Sequence, residues 1–125
     1  NLGQYTWMFD GLKQNGAKWD VIGMSLYPDW ITDKTWEQVS DDCLDNIKEL
    51  SDKYNCDVII SEIGMVWNSE NAAPFLKKMV DGCKAISACE GVFYWEPECN
   101  SGWNGYDKGA FDNSGKPTAA LDAFK

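Results

Sequence analysis

Asp57-Val58-Ile59-Ile60-Ser61-Glu62-Ile63-Gly64 carries the pattern from which the architecture of this chain follows. A short, β-branched, nearly continuous apolar run is the pattern of a strand buried on both faces, as in parallel sheets covered by helices. In parallel barrels the chemistry gathers at the carboxyl ends of the strands, and this run ends on a carboxylate followed by a glycine. A carboxylate beside a buried strand is costly unless it is paired or solvated. Glu62 therefore either faces a functional cleft or belongs to a structural ion pair.

Two other segments repeat the design, Trp19-Asp20-Val21-Ile22-Gly23-Met24-Ser25-Leu26-Tyr27-Pro28 and Glu90-Gly91-Val92-Phe93-Tyr94-Trp95-Glu96-Pro97. Each ends in aromatics, a polar group and a proline, as three strands would that deliver side chains to one rim. They recur about every 35 residues, close to the roughly 31 residues per unit of an eightfold βα barrel. By that count the chain holds less than half of a barrel.

Helices fill the intervals. Tyr5, Met8, Phe9 and Leu12 follow the i, i+3, i+4, i+7 stripe, with Gly16 as the stop. Thr35-x-x-Gln38 reads as a capping box ahead of a stripe of Trp36, Val39, Cys43, Ile47, Leu50 and Tyr54. Leu76, Met79, Val80 and Cys83 mark a third helix starting near Asn71. Past Pro97 the texture turns to Gly, Asn, Trp and Asp as far as Gly115, a long irregular loop, before a short closing helix from Pro117 to Phe124. The order predicts an α/β fold of parallel βα units with right-handed crossovers.

Composition narrows the function. The 125 residues are 44% apolar and 25% charged, as in an ordinary globular chain. The net charge is −9 and all 11 basic residues are lysines, so no basic footprint or arginine fork for nucleic acid is present. The absence of histidine removes Ser-His and Cys-His catalysis and histidine metal sites, leaving carboxylates for acid/base work. The five cysteines show no C-x-x-C spacing and read as mostly buried thiols, with Cys83 and Cys89 the one disulfide candidate. No apolar run is long enough for a membrane span, and Asn1 to Gln4 does not read as a secretion signal.

Several residues are candidates for a site. Glu96 and Glu98 flank Pro97 at the end of the strand next to Glu62. Neighbouring strands lie about 4.8 Å apart, and retaining glycosidases hold two carboxyls about 5 to 5.5 Å apart. Glu62 and Glu96 are thus a candidate pair, with Glu96 and Glu98 alternatively positioning substrate or serving structure. Of seven tryptophans, Trp30, Trp67, Trp95 and Trp103 fall at strand ends or in the loops after them. Their flat apolar faces suit the C–H faces of sugars. Trp7, Trp19 and Trp36 read as packing. The Asn and Asp residues from Asn104 to Asn113 do not match a twelve-residue calcium loop; they read as turn formers, so no cofactor is expected and calcium remains only as a structural option.

With these residues in view, the chain resembles the C-terminal part of glycoside hydrolase family 53, the endo-β-1,4-galactanases. The resemblance is carried by the segments ending Tyr27-Pro28-Asp29-Trp30, by Val58 to Gly64, by Gly91 to Pro97, and by Gly109-Ala-Phe-Asp112 with Gly115 to Phe124. It implies that residues 1–125 form one partial catalytic domain, about strands six to eight of a (β/α)8 barrel. It matches Glu62 to the family's nucleophile, Trp95 to the floor of the subsite under attack and Trp30 to a rim residue, with Tyr27 a partner for the nucleophile. The family's acid/base glutamate lies on strand four in an Asn-Glu motif that this sequence does not contain at a strand end.

The resemblance implies retaining cleavage of β-1,4-galactan, with the 125-residue segment inactive by itself. It also implies action outside the cell, in the periplasm or at the cell surface. Two alternatives stay open, a non-catalytic carbohydrate-binding scaffold and a related retaining glycosidase acting on mannan or xylan. Three parallel strands alone leave two open edges and an uncovered inner face, so self-association or the remainder of a barrel is the expected partner.

Overall fold

The computed structural model describes residues 1–99 and 103–125. Helix α1 spans Leu2–Gln14, with the Asn1 side chain accepting from the Gly3 N–H at 3.0 Å. Strand β1 is Val21–Leu26, followed by a 3-10 turn at Pro28–Trp30. The long helix α2, Trp36–Tyr54, starts on the full capping box of Thr35 and Gln38 and stops at Asn55, whose φ of 52° ends the helical path. Strand β2 is Asp57–Ile63, helix α3 is Ala72–Lys84 and strand β3 is Cys89–Tyr94. The three strands pair in parallel in the order β1-β2-β3.

The core lies on one side of this sheet. Ile22, Met24, Leu26, Val58, Ile60 and Ile63 are at most 6% exposed and meet Val39, Cys43, Ile47 and Leu50 of α2 and Phe75, Leu76, Met79 and Cys83 of α3. Trp36 crosses Phe75 edge-on at 6.4 Å, joining the two helices at one end. The opposite face is open: Val21, Gly23 and Ser25 of β1 are exposed, and Phe93 of β3 is 59% exposed. The apolar run of β2 is thus covered by helices on one side only.

The pairing carries an irregularity that aims the site. Met24 stands opposite Ile60, but the next residue, Ser25, stands opposite Glu62, so β2 holds one residue more than β1 at Ser61. Strict alternation from Val58 and Ile60 would send Glu62 into the helix-facing core. The extra residue shifts the phase, so that Ile63 takes the buried position opposite Leu26 and Glu62 joins Ser25 on the open face.

Three further expectations need correction. Trp7 does not pack; it is 81% exposed, and no residue of α1 is buried, Leu2, Tyr5 and Phe9 being the partly buried residues of this helix that pack against the core. Phe9 meets Trp19 at 5.0 Å and Tyr54 at 5.7 Å, which confirms Trp19 as a packing residue. The closing helix is a 3-10 helix over Ala119–Phe124 and does not start at Pro117, which instead bridges Phe111 in antiparallel fashion. Cys83 and Cys89, like the other cysteines, are free thiols. The irregular stretch after Pro97 includes residues 100–102, which lie outside the described residues.

Candidate active site

A groove of about 950 Å³ runs past the β1 edge, from Tyr5 of α1 and Val39 and Cys43 of α2 to the carboxyl end of the sheet, where Tyr27, Trp30, Glu62, Trp95 and Tyr106 line it. Glu62 is the only glutamate among the lining residues described. Tyr27, at the end of β1, donates its hydroxyl to Glu62 Oε2 at 2.9 Å. Burial, followed by that bond to a carboxylate, holds the Tyr27 phenol far above its ordinary range, so it serves Glu62 as a donor at any working pH. The Tyr27 ring lies 4.4 Å from the ring of Trp30, tilted by 40°. Trp30 is 65% and Trp95 45% exposed, so two indoles in the groove keep apolar faces open.

Tyr106 comes from the segment after β3. It lies within hydrogen-bonding reach of Tyr27, and burial pushes its own hydroxyl up to about 12. That hydroxyl also donates to the Trp95 carbonyl at 3.3 Å. Its seat depends on Gly64, because a Cβ there would stand 2.8 Å from the Tyr106 hydroxyl and 2.9 Å from the Lys108 carbonyl. The glycine that follows the Glu62 strand is therefore a packing requirement as much as a turn.

Behind the groove, Lys108 is only 6% exposed. Its Nζ bonds Asp107 at 2.9 Å, stands 3.8 Å from Asp29 and lies 5.7 Å from the centre of the Trp30 ring. Asp29 in turn accepts from the Val66 N–H at 2.9 Å, and the Asp107 carbonyl accepts from the Trp67 N–H at 3.0 Å. The segments after β1, β2 and β3 are tied together at this point.

Of the residues expected at the site, Glu62, Tyr27, Trp30 and Trp95 converge in the groove. Trp67, half-buried, and Trp103, 60% exposed in a turn at Trp103–Gly105, do not line it. Glu96 and Glu98 are exposed and do not line it either; Glu96 adopts φ 45°, a left-handed conformation that is uncommon outside glycine. Glu96 thus stands outside the groove lining that contains Glu62. Tyr106, Lys108 and Asp29 are the participants that sequence reading passed over. An isolated lysine in a Gly/Asn/Asp-rich loop gave no sign that it would be buried. Among the described residues no group of three His, Cys, Asp or Glu side chains could hold a metal ion, and no helix is long and apolar enough to cross a membrane.

The model of Glycosyl hydrolase family 53 matches residues 1–124. An arabinogalactan endo-beta-1,4-galactanase of Cellvibrio japonicus (strain Ueda107) is 27% identical over 150 residues, an overlap covering 94% of this chain and 38% of that protein. Among solved structures, a fungal beta-1,4-galactanase superposes with a TM-score of 0.75 at 21% identity, over 99% of this chain and 44% of its own. Xylanase 10B from Thermotoga petrophila RKU-1 superposes with a TM-score of 0.65 at 19% identity, over 94% of this chain and 38% of its own. At such identities the superpositions speak to the fold, which is part of a (β/α)8 barrel. The chain spans less than half the length of each of these relatives.

Proposed function

The chain belongs to glycosyl hydrolase family 53, and from that premise we propose that this protein cleaves internal β-1,4 bonds of galactan with retention, Glu62 being the nucleophile. The observation that carries the reading is the 2.9 Å hydrogen bond from Tyr27 to Glu62 in a groove flanked by Trp30 and Trp95. The name of the Cellvibrio relative supports galactan as the substrate class.

In the first step a Glu62 oxygen attacks the anomeric carbon, the bond to the leaving sugar's O4 breaks, and a second carboxyl group gives that oxygen its proton. Water then cleaves the galactosyl ester with the second carboxyl acting as base, returning Glu62 as a carboxylate. Tyr27 orients Glu62 for attack and keeps one of its oxygens hydrogen-bonded as charge leaves it. Trp95 and Trp30 offer apolar faces to the sugar rings. Asp33 and Asp42 also line the groove, but the resemblance puts the second carboxyl on strand four, in an Asn-Glu motif these 125 residues do not hold at a strand end, so the segment alone is expected to release no reducing sugar from galactan. The polymeric substrate places the reaction outside the cytoplasm.

The test is to treat the intact protein with a 2-deoxy-2-fluorogalactoside carrying a good leaving group and to sequence the labelled peptide by mass spectrometry. The label is expected on Glu62, and Glu62→Gln is expected to lower galactan turnover by more than about 10³-fold while oligosaccharide binding persists. A label on another carboxylate, or turnover retained by Glu62→Gln, would overturn the assignment. Binding with no turnover in the unmodified protein would favour a carbohydrate-binding scaffold instead.

A further inference from the structure

We propose that Lys108 is a positioning residue for substrate binding, fixing the Trp30 indole through a charge placed behind it; this rests on the reading that the groove holds galactan. Four observations carry it. Lys108 is buried to 6% exposure in a chain whose other ion-paired lysines keep 30% or more of their side chains exposed. Its Nζ lies 5.7 Å from the centre of the Trp30 ring, within the range of cation–π attraction. Its partners Asp107 and Asp29 belong to different loops, which also hold the Trp67 and Val66 backbone. Trp30 itself is 65% exposed, so little apolar packing is available to fix its angle.

The arrangement does what an exposed sugar platform needs. An indole held only by its own backbone loses rotamer freedom when a sugar stacks on it, and that ordering weakens binding. A charge on one side and the Tyr27 ring at 4.4 Å hold Trp30 before the sugar arrives. The same charge offsets the two aspartates, one of which pins the segment after the Glu62 strand through the Val66 N–H. Lys108 touches neither sugar nor Glu62 in this scheme; it acts through Trp30.

The experiment compares Lys108→Met, which keeps the length and removes the charge, with Lys108→Arg, which keeps the charge, in the intact protein. Lys108→Met is expected to raise KM for β-1,4-galactan about threefold to tenfold with kcat changed less than about twofold, and Lys108→Arg to recover most of the loss. In a Trp30→Ala background Lys108→Met should add nothing further to KM. In parallel, 5-fluorotryptophan labelling with the Trp30 line assigned through Trp30→Phe should show that line shifted or broadened in Lys108→Met, with or without sugar. If Lys108→Met loses its melting transition, Lys108→Met with Asp107→Asn removes a stranded carboxylate and takes its place. An unmoved Trp30 line, or an equal KM effect with and without Trp30, would overturn the proposal. A moved line in a protein that neither binds nor cleaves galactan would instead fault the functional reading and leave the positioning of Trp30 standing.

Discussion

The two faces of one three-stranded sheet have opposite characters. Toward α2 and α3, the strands present Ile22, Met24, Leu26, Val58, Ile60 and Ile63, all nearly or fully removed from water. Toward the other side, the same strands present Val21, Gly23, Ser25 and Phe93, all exposed, with Glu62 near their carboxyl end and the exposed Trp95 just past β3. The lesson is a division of labour between the two faces, kept in step across the extra residue at Ser61. The helix-facing residues hold the fold together, and the other face is free to carry a charge and aromatics that a packed core would not tolerate.

That division can be broken or sharpened by substitution. The largest effect is expected at Phe75, which is fully buried between the sheet and α2; Phe75→Ala should cost about 3 to 5 kcal/mol of stability, read by urea unfolding. Any protein that remains folded should keep its kcat. A loss of kcat in proportion to the loss of stability would show that the two faces are not separable.

Tyr27→Phe should do the reverse. It keeps the ring and deletes the 2.9 Å bond to Glu62. A hydrogen bond to a charged group contributes about 1.5 to 3 kcal/mol, so kcat on galactan should fall roughly 10- to 100-fold with little change in melting temperature. An unchanged kcat would detach Tyr27 from the chemistry.

The smallest effect belongs to Thr35, whose hydroxyl accepts from the Gln38 N–H at the start of α2. Thr35→Ala should remove about 1 kcal/mol, measurable as a lower unfolding midpoint, and leave KM and kcat unchanged. A shift in KM would mean that the α2 start reaches into the groove's function.

Much of this was legible from local pattern. The capping box of Thr35 and Gln38, the stripe of α2 and the Val/Ile run of β2 declare themselves because each depends on residues a few positions apart. The gathering of Tyr27, Trp30, Glu62 and Trp95 was legible once three strands were known to be parallel, since their ends then share a rim. Trp7 was misread because a helical stripe says which side is apolar and not whether a neighbour exists to cover it. Strand spacing makes Glu96 a candidate partner for Glu62, but spacing does not foresee the left-handed backbone at Glu96, which lies outside the groove's lining. Lys108, Tyr106 and Asp29 were not legible, because the contacts that place them at the site, with Trp30, Tyr27 and Val66, join segments remote in sequence.

The sequence by itself determined that Glu62 ends a buried parallel strand among tryptophans, because hydrophobic period and residue type are local properties. Which face Glu62 occupies was decided only by tertiary structure. Counted by twos from Ile60, it points into the core; the additional residue at Ser61, visible only in the register against β1, turns it toward Tyr27 and the groove. A bulge has no sequence signature of its own here, because it arises from the pairing of two strands and not from the residues of one.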